Sequence, residues 1–165
     1  MKHLWAPWRL QYIEHAGEAQ GCIFCDKPGQ QRDEDNLILH RGERVFVMMN
    51  AFPYNSGHLM IAPYRHVADL TDLDGQEMSD LMAATAHMLK ILRRTPSPQG
   101  FNVGINIGEA AGAGIADHIH LHVVPRWQGD TNYMLVMSDT RVVPEALADG
   151  YRKLRAAIEA EGDEG

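Results

Sequence analysis

Three histidines at alternate positions, His118, His120 and His122, sit in the stretch Asp117-His118-Ile119-His120-Leu121-His122-Val123-Val124-Pro125-Arg126. Histidine is the side chain able to act as nucleophile, acid or base near neutral pH. Strict alternation with Ile119 and Leu121 is a strand pattern, which puts the imidazoles on one face and the aliphatic side chains on the other. Alternate strand residues lie about 6.6 Å apart, so His118 and His122 are roughly 13 Å apart at the backbone. That spacing suits a division of roles among the three rings. Two imidazoles could chelate together, whereas three would strain to converge on one metal. The bland alternative, a polar strand face that is His-rich by chance, is the weaker reading of this pattern.

A second constellation is Cys22-Ile23-Phe24-Cys25, which holds the only two cysteines. One C-x-x-C has three readings: half a zinc site, a redox pair of thioredoxin type, or chance. The redox reading wants a helix that opens at the first cysteine after a strand, whereas here Gly21 precedes and Pro28-Gly29 closes the segment. A zinc site needs two further ligands, for which His66 and His118 are candidates. A third feature is the loop Gly108-Glu109-Ala110-Ala111-Gly112-Ala113-Gly114, which runs into the histidine strand. Its small side chains let backbone amides approach an anion closely.

The elements that must position these groups read as follows. Residues 37–40 and 44–49 form two strands joined by a hairpin turn, and 58–62 form a third. A helix over about 74–94, capped by Thr71 or Asp72, carries an apolar stripe of Leu73, Met78, Leu81, Met82, Thr85, Met88, Leu89 and Leu92. Residues 101–107 make a fourth strand, 133–137 a short one, and Pro144 opens a last helix with Leu147, Tyr151, Leu154 and Ile158 inward. Strands, one long helix, strands and a closing helix describe an α+β domain with an antiparallel sheet. Trp5 and Trp8 are costly to leave in water, so residues 1–20 are expected to pack as an arm on the domain or on a partner subunit. The acidic tail, 159–165, is expected to fray.

Composition narrows the function classes. The 165 residues are 45% hydrophobic and 22% charged, as in one globular domain. No stretch reaches the roughly 18 apolar residues of a membrane span, and no signal-peptide core is present, so a cytoplasmic protein is expected. The net charge of −7 provides no basic field for nucleic acid. An anionic ligand must therefore be held by local groups.

At His118-Ile119-His120-Leu121-His122-Val123-Val124 the chain resembles the histidine triad (HIT) superfamily of nucleotide hydrolases and transferases. The likeness covers nearly the whole chain. It extends to Phe46-Val47-Met48-Met49-Asn50 and to Gly57-His58-Leu59-Met60-Ile61-Ala62-Pro63-Tyr64-Arg65-His66, which ends on P-x-x-H. Trp5-Ala6-Pro7-Trp8-Arg9, with Pro125-Arg126-Trp127-Gln128-Gly129-Asp130, looks most like the branch of diadenosine tetraphosphate phosphorylases. The resemblance implies one HIT domain over 1–165, assembled as a homodimer and possibly a tetramer.

By the same resemblance, His118, His120 and His122 form the catalytic triad: His120 is the nucleophile that forms a nucleotidyl-histidine, and His122 hydrogen-bonds the phosphoryl oxygens or the departing group. Asn50 contacts ribose, and Phe24, Phe46 and Met48 line the base pocket, with Trp127 counted in the nucleotide-binding set. Asn106 and the amides of Gly112, Ala113 and Gly114 hold phosphates. Cys22, Cys25, His66 and His118 ligate a structural zinc, and His58 fixes the orientation of a neighbouring imidazole. His3, His15, His40 and His87 match no motif.

The substrates implied are a dinucleoside polyphosphate and inorganic phosphate, with no nucleic acid, no membrane and no organic cofactor. Many family members carry Gln in the loop before the triad, where this chain reads Ala113-Gly114-Ile115. The roomier loop is expected to admit phosphate in place of water as acceptor. Hydrolysis of dinucleoside polyphosphates and cleavage of nucleoside phosphoramidates are the alternatives that use the same His120 intermediate. A nucleotide-binding module with little turnover is another, although it would not need a complete triad. A redox or nucleic-acid module built on Cys22 and Cys25 is the poorest.

Overall fold

Five short segments pair into one antiparallel sheet: β1 (Ile38–Arg41), β2 (Val45–Met49), β3 (Leu59–Pro63), β4 (Gly100–Ile105) and β5 (Leu121–Arg126). Their order is β1-β2-β3-β5-β4. Among the described residues four α-helices accompany them: α1 (Ile23–Gly29), the single turn α2 (Asp33–Asn36), α3 (Gly75–Arg94) and α4 (Leu147–Gly162). The structure is a computed structural model that describes residues 21–95, 97–130 and 145–162. The arm with Trp5 and Trp8, the expected strand 133–137, Pro144 and residues 163–165 lie outside the described residues. The α+β class, with an antiparallel sheet, one long helix and a C-terminal helix, is what the sequence leads one to expect.

The period-2 alternation divides the sheet into two apolar faces. Val45, Val47, Met49, Leu59, Ile61, Ile119, Leu121 and Val123 point one way and bury against Leu81, Met88, Ile91 and Leu92 of α3 and Tyr151 and Leu154 of α4. Truncating a core residue such as Leu92 to Ala costs about 2–5 kcal/mol in lost burial and cavity formation. Ile38, Phe46, Met48, Met60 and Ala62 point the other way and gather around Phe24 of α1. The histidines share that second face. In β1 the alternation breaks: Ile38 pairs with Met48 but His40 pairs with Val47, leaving Leu39 as the extra residue of a bulge.

The cap of α3 is Asp74, not Thr71 or Asp72. Its carboxylate accepts from the backbone N–H groups of Gln76 and Glu77, while Glu77 accepts from the Asp74 N–H, a reciprocal capping box. Thr71 and Asp72 belong to a preceding 3-10 turn, Leu70–Asp72, capped by Asp69. The stripe of α3 also differs from expectation. Met78 and Met82 are 40% and 57% exposed, and the buried line runs through Glu77, Leu81, Thr85, Met88, Ile91 and Leu92. A polar Glu77 is tolerated there because Arg65 meets it at 2.6 Å.

Only His122 of the three histidines lies within a regular strand. β5 begins at Leu121 and is held between β3 and β4, with Met60 and Gly104 flanking His122. His118 to His120 lead into it, tied by the Ile119 N–H to the Val67 carbonyl at 2.7 Å. Gly57 takes φ +74° where a Cβ would meet Pro125 at 3.3 Å, so glycine lets the chain turn closely under β5 just before His58. The last helix runs to Gly162 and so takes in 159–162 of the acidic tail.

Candidate active site and metal-ligand cluster

Backbone and side-chain partners determine which nitrogen of each imidazole is available. The Tyr54 backbone N–H donates to His58 Nδ1 at 3.1 Å, so His58 carries its proton on Nε2. That Nε2–H donates to His122 Nδ1 at 2.9 Å, which leaves the His122 proton on Nε2. His120 Nδ1 donates to the carbonyl of His118 at 2.8 Å, so its Nε2 holds a lone pair. The fixed tautomers thus set a nucleophilic nitrogen on His120 beside a donor on His122, with ring centroids 4.8 Å apart. Burial pushes the His120 pKa below its ordinary value and favours the neutral, nucleophilic form.

The outer support of this relay is equally specific. His58 is wholly buried and stacks on Tyr54 at 4.9 Å. Asn50 Oδ1 accepts from the Phe52 N–H at 2.9 Å, holding the 50–54 loop against the relay. Phe24 stands 4.7 Å from His120 and 5.2 Å from His118, so one aromatic ring separates two groups of very different surroundings.

At His118 the opposite nitrogen is tied. Its Nε2 donates to the Pro63 carbonyl at 2.9 Å, which leaves the Nδ1 lone pair facing the two cysteines. Nδ1 lies 3.2 Å from Cys22 Sγ, 3.5 Å from Cys25 Sγ and 3.2 Å from His66 Nδ1, and His66 Nδ1 lies 3.3 Å from Cys25 Sγ. All four ligand atoms fall within 4.8 Å of one another. A tetrahedral ion with bonds of about 2.0–2.3 Å has ligand-to-ligand edges of roughly 3.3–3.8 Å, so this set fits such a metal closely. Burial, reinforced by the neighbouring Cys22 and Asp26, pushes the Cys25 thiol up to about 11, so a cation is what would stabilise its thiolate. Burial lowers the pKa of His118, which keeps its lone pair available. A short helix does open at Cys22, but it follows Gly21 and gathers two histidines about the cysteines, which favours ligation over a redox pair.

The relay opens on a cavity with about 180 Å³ of water-accessible space. Of the residues singled out in the sequence, Phe24, Met48, Asn50, Gly112, Gly114, His120 and His122 line it. Phe46 does not: it is fully buried behind the wall, stacked on Tyr64 at 5.2 Å. Nor do Asn106, Ala113 and Trp127; the Trp127 N–H instead closes a turn onto Asp130, itself paired with Arg126 at 2.6 Å. The loop amides are only partly available. Those of Gly112 and Ala113 donate to the carbonyls of Glu109 and Gly108, while the Gly114 amide has no backbone partner among the described residues.

Sequence reasoning misses Ile23, Lys27, Ala51, Phe52, Tyr54, Met60 and Ile115 as lining residues. A signal is there: Ile23, Phe24 and Lys27 fall on one face once a helix opens at Cys22. Burial lowers the Lys27 pKa.

The family model "HIT domain" matches residues 31–129. The chain is 38% identical over 161 residues to a Mycobacterium tuberculosis protein named AP-4-A phosphorylase, covering 93% of this chain and 83% of that protein. Among solved structures it is similar to a Zn-bound histidine triad family protein from Mycobacterium smegmatis, with TM-score 0.72, 26% identity, and 88% of this chain and 98% of that one covered. A Plasmodium falciparum diadenosine triphosphate hydrolase shares the fold at TM-score 0.59 and 17% identity, over 77% of each chain. Among the described residues, no helix is long and apolar enough to cross a membrane.

Proposed function

The chain belongs to the HIT domain family, and on that premise we propose that it is a nucleotidyltransferase cleaving diadenosine tetraphosphate by phosphorolysis to ATP and ADP. His120 Nε2 attacks the α-phosphorus. The N–P bond forms as the bond to the bridging oxygen of the β-phosphate breaks, and ATP leaves with that electron pair. Inorganic phosphate then attacks the adenylyl-His120 phosphorus, giving ADP and restoring the free imidazole. Splitting one displacement into two lets a neutral nitrogen act as both nucleophile and leaving group.

The observation that carries the proposal is the pair of fixed tautomers: Nδ1 of His120 is tied to a carbonyl, and Nε2 of His122 bears the proton. His122 then donates to the phosphoryl or departing oxygen, where negative charge grows, and His58 holds it in that tautomer. Asn50, beside the relay, takes the ribose, and Met48 and Phe24 flank the base. The Gly114 amide is the loop donor for a phosphate oxygen.

Cys22, Cys25, His66 and His118 would hold zinc. With all four positions filled by protein, such an ion is structural, joining α1 to the lead-in of β5. The 38% identity to a relative named AP-4-A phosphorylase supports this substrate over a phosphoramidate.

The test is diadenosine tetraphosphate turnover with and without phosphate, following which nucleotides form. Phosphate-dependent ATP plus ADP is expected. ATP plus AMP without phosphate would make water the acceptor and the protein a hydrolase.

A further inference from the structure

Lys27 is the only lysine or arginine among the described residues that line the cavity. It projects from α1 one turn beyond Ile23, on the same helix face, and is half-buried. Its ammonium has neither an ion pair nor a hydrogen bond among the described residues, although a partly desolvated cation is costly without an acceptor. A ligand is the natural supplier of that acceptor.

The sheet order indicates which part of the ligand. His120 and His122, where the α-phosphorus must sit, belong to β5 and its lead-in, whereas Met48 and Asn50 belong to β2 and its exit, with β3 between the two strands. The C-terminal end of α1 is anchored on the far side of β2. Asn36 donates to the Lys27 carbonyl at 3.3 Å, and Arg41 of β1 donates to the Pro28 carbonyl at 2.9 Å. A nucleotide laid from His120 across Met48 therefore presents its base, not its phosphates, to Lys27.

Within the nucleotide reading proposed above, we infer that Lys27 is a base-selecting residue, donating to the distal edge of the purine and favouring a 6-oxo purine over a 6-amino one. Lysine has three donors and no acceptor. Guanine and hypoxanthine offer O6 and N7 together, a favourable pairing for lysine, whereas adenine sets an amino group where O6 would be. The pocket should bind guanosine nucleotides more tightly than adenosine nucleotides, and equal affinities in the wild type would overturn the assignment.

Titration calorimetry of AMP, GMP and IMP against the wild-type chain, Lys27→Met and Lys27→Arg tests this without requiring turnover. Tighter binding of GMP and IMP than of AMP is expected for the wild type, with IMP removing any effect of the 2-amino group. Lys27→Met should erase that preference by about fivefold or more, and Lys27→Arg should retain it. Unchanged nucleotide ratios in Lys27→Met would overturn the assignment while leaving the nucleotide reading intact. So would equal weakening of all three ligands, which would move Lys27 to the phosphate. Failure of all three to bind the wild type would remove the nucleotide reading itself, and the role of Lys27 with it.

Discussion

His118 and His120 are two residues apart, both buried, and both tied to a backbone carbonyl, yet they face opposite kinds of chemistry. His118 commits Nε2 to the Pro63 carbonyl and turns Nδ1 toward two sulfurs and a second imidazole. His120 commits Nδ1 to the His118 carbonyl and turns Nε2 toward a cavity whose next imidazole is His122. One end of the stretch faces a cluster of candidate metal ligands, and the other faces a cavity. The difference lies in which ring nitrogen the backbone takes, because that choice fixes the tautomer and the direction of the remaining lone pair.

The largest effect should come from the cavity end. His120→Asn is expected to lower turnover by about a thousandfold or more while leaving nucleotide affinity within a few-fold. Parallel loss of binding and turnover would instead indicate a folding role for His120. His58→Phe probes the relay one step out. It removes the donor that fixes His122, so kcat should fall by roughly 10–100-fold with KM little changed.

At the cluster end the readout is stability rather than rate. Cys22→Ser, or prolonged chelation of the wild type, is expected to lower Tm by roughly 5–10 °C and to release zinc. Protein purified without chelator that contains no metal, with both thiols freely titratable, would remove the metal from the picture.

The smallest effect concerns the support of His66. Arg65 holds the Glu77 carboxyl well below its ordinary value, at about 2. A depressed carboxyl contributes stability above its unfolded value and loses it as the pH falls, here between about 4.5 and about 2. Glu77→Gln should therefore lower Tm by a few degrees at pH 7, and the gap to wild type should close as the pH approaches 2. A gap that is constant with pH would assign the effect to the capping box alone.

Much of this division is legible in the amino-acid sequence. Alternation sets the imidazoles opposite Ile119, Leu121 and Val123, and the C-x-x-C needs two more ligands. What the alternation does not convey is where regular pairing begins: only His122 lies in β5, because the Val67 carbonyl, not a neighbouring strand, holds Ile119. Phe46 is placed in the pocket wall by the family resemblance, but although it shares a sheet face with Met48 it lies two residues further from Asn50, fully buried and stacked on Tyr64. Met78 and Met82 read as core because they fall at helical spacing with Thr85 and Leu89, but the buried line is turned toward Leu81, Met88 and Leu92, and a buried Glu77 is explained only by Arg65 arriving from the end of β3. Lys27 shows in the sequence only as a helix-face neighbour of Ile23. Its role depends on how α1 lies across the sheet, a tertiary fact set by contacts from Asn36 and Arg41.

The central claim, that the cavity end of the stretch forms a covalent bond through His120, is tested most directly by rapid-quench mass spectrometry of the chain mixed with diadenosine tetraphosphate in the absence of phosphate. An adenylyl group mapped to His120, which disappears on adding phosphate as ADP forms, is the expected result. Turnover without any adduct, or an adduct mapped to another residue, would contradict it.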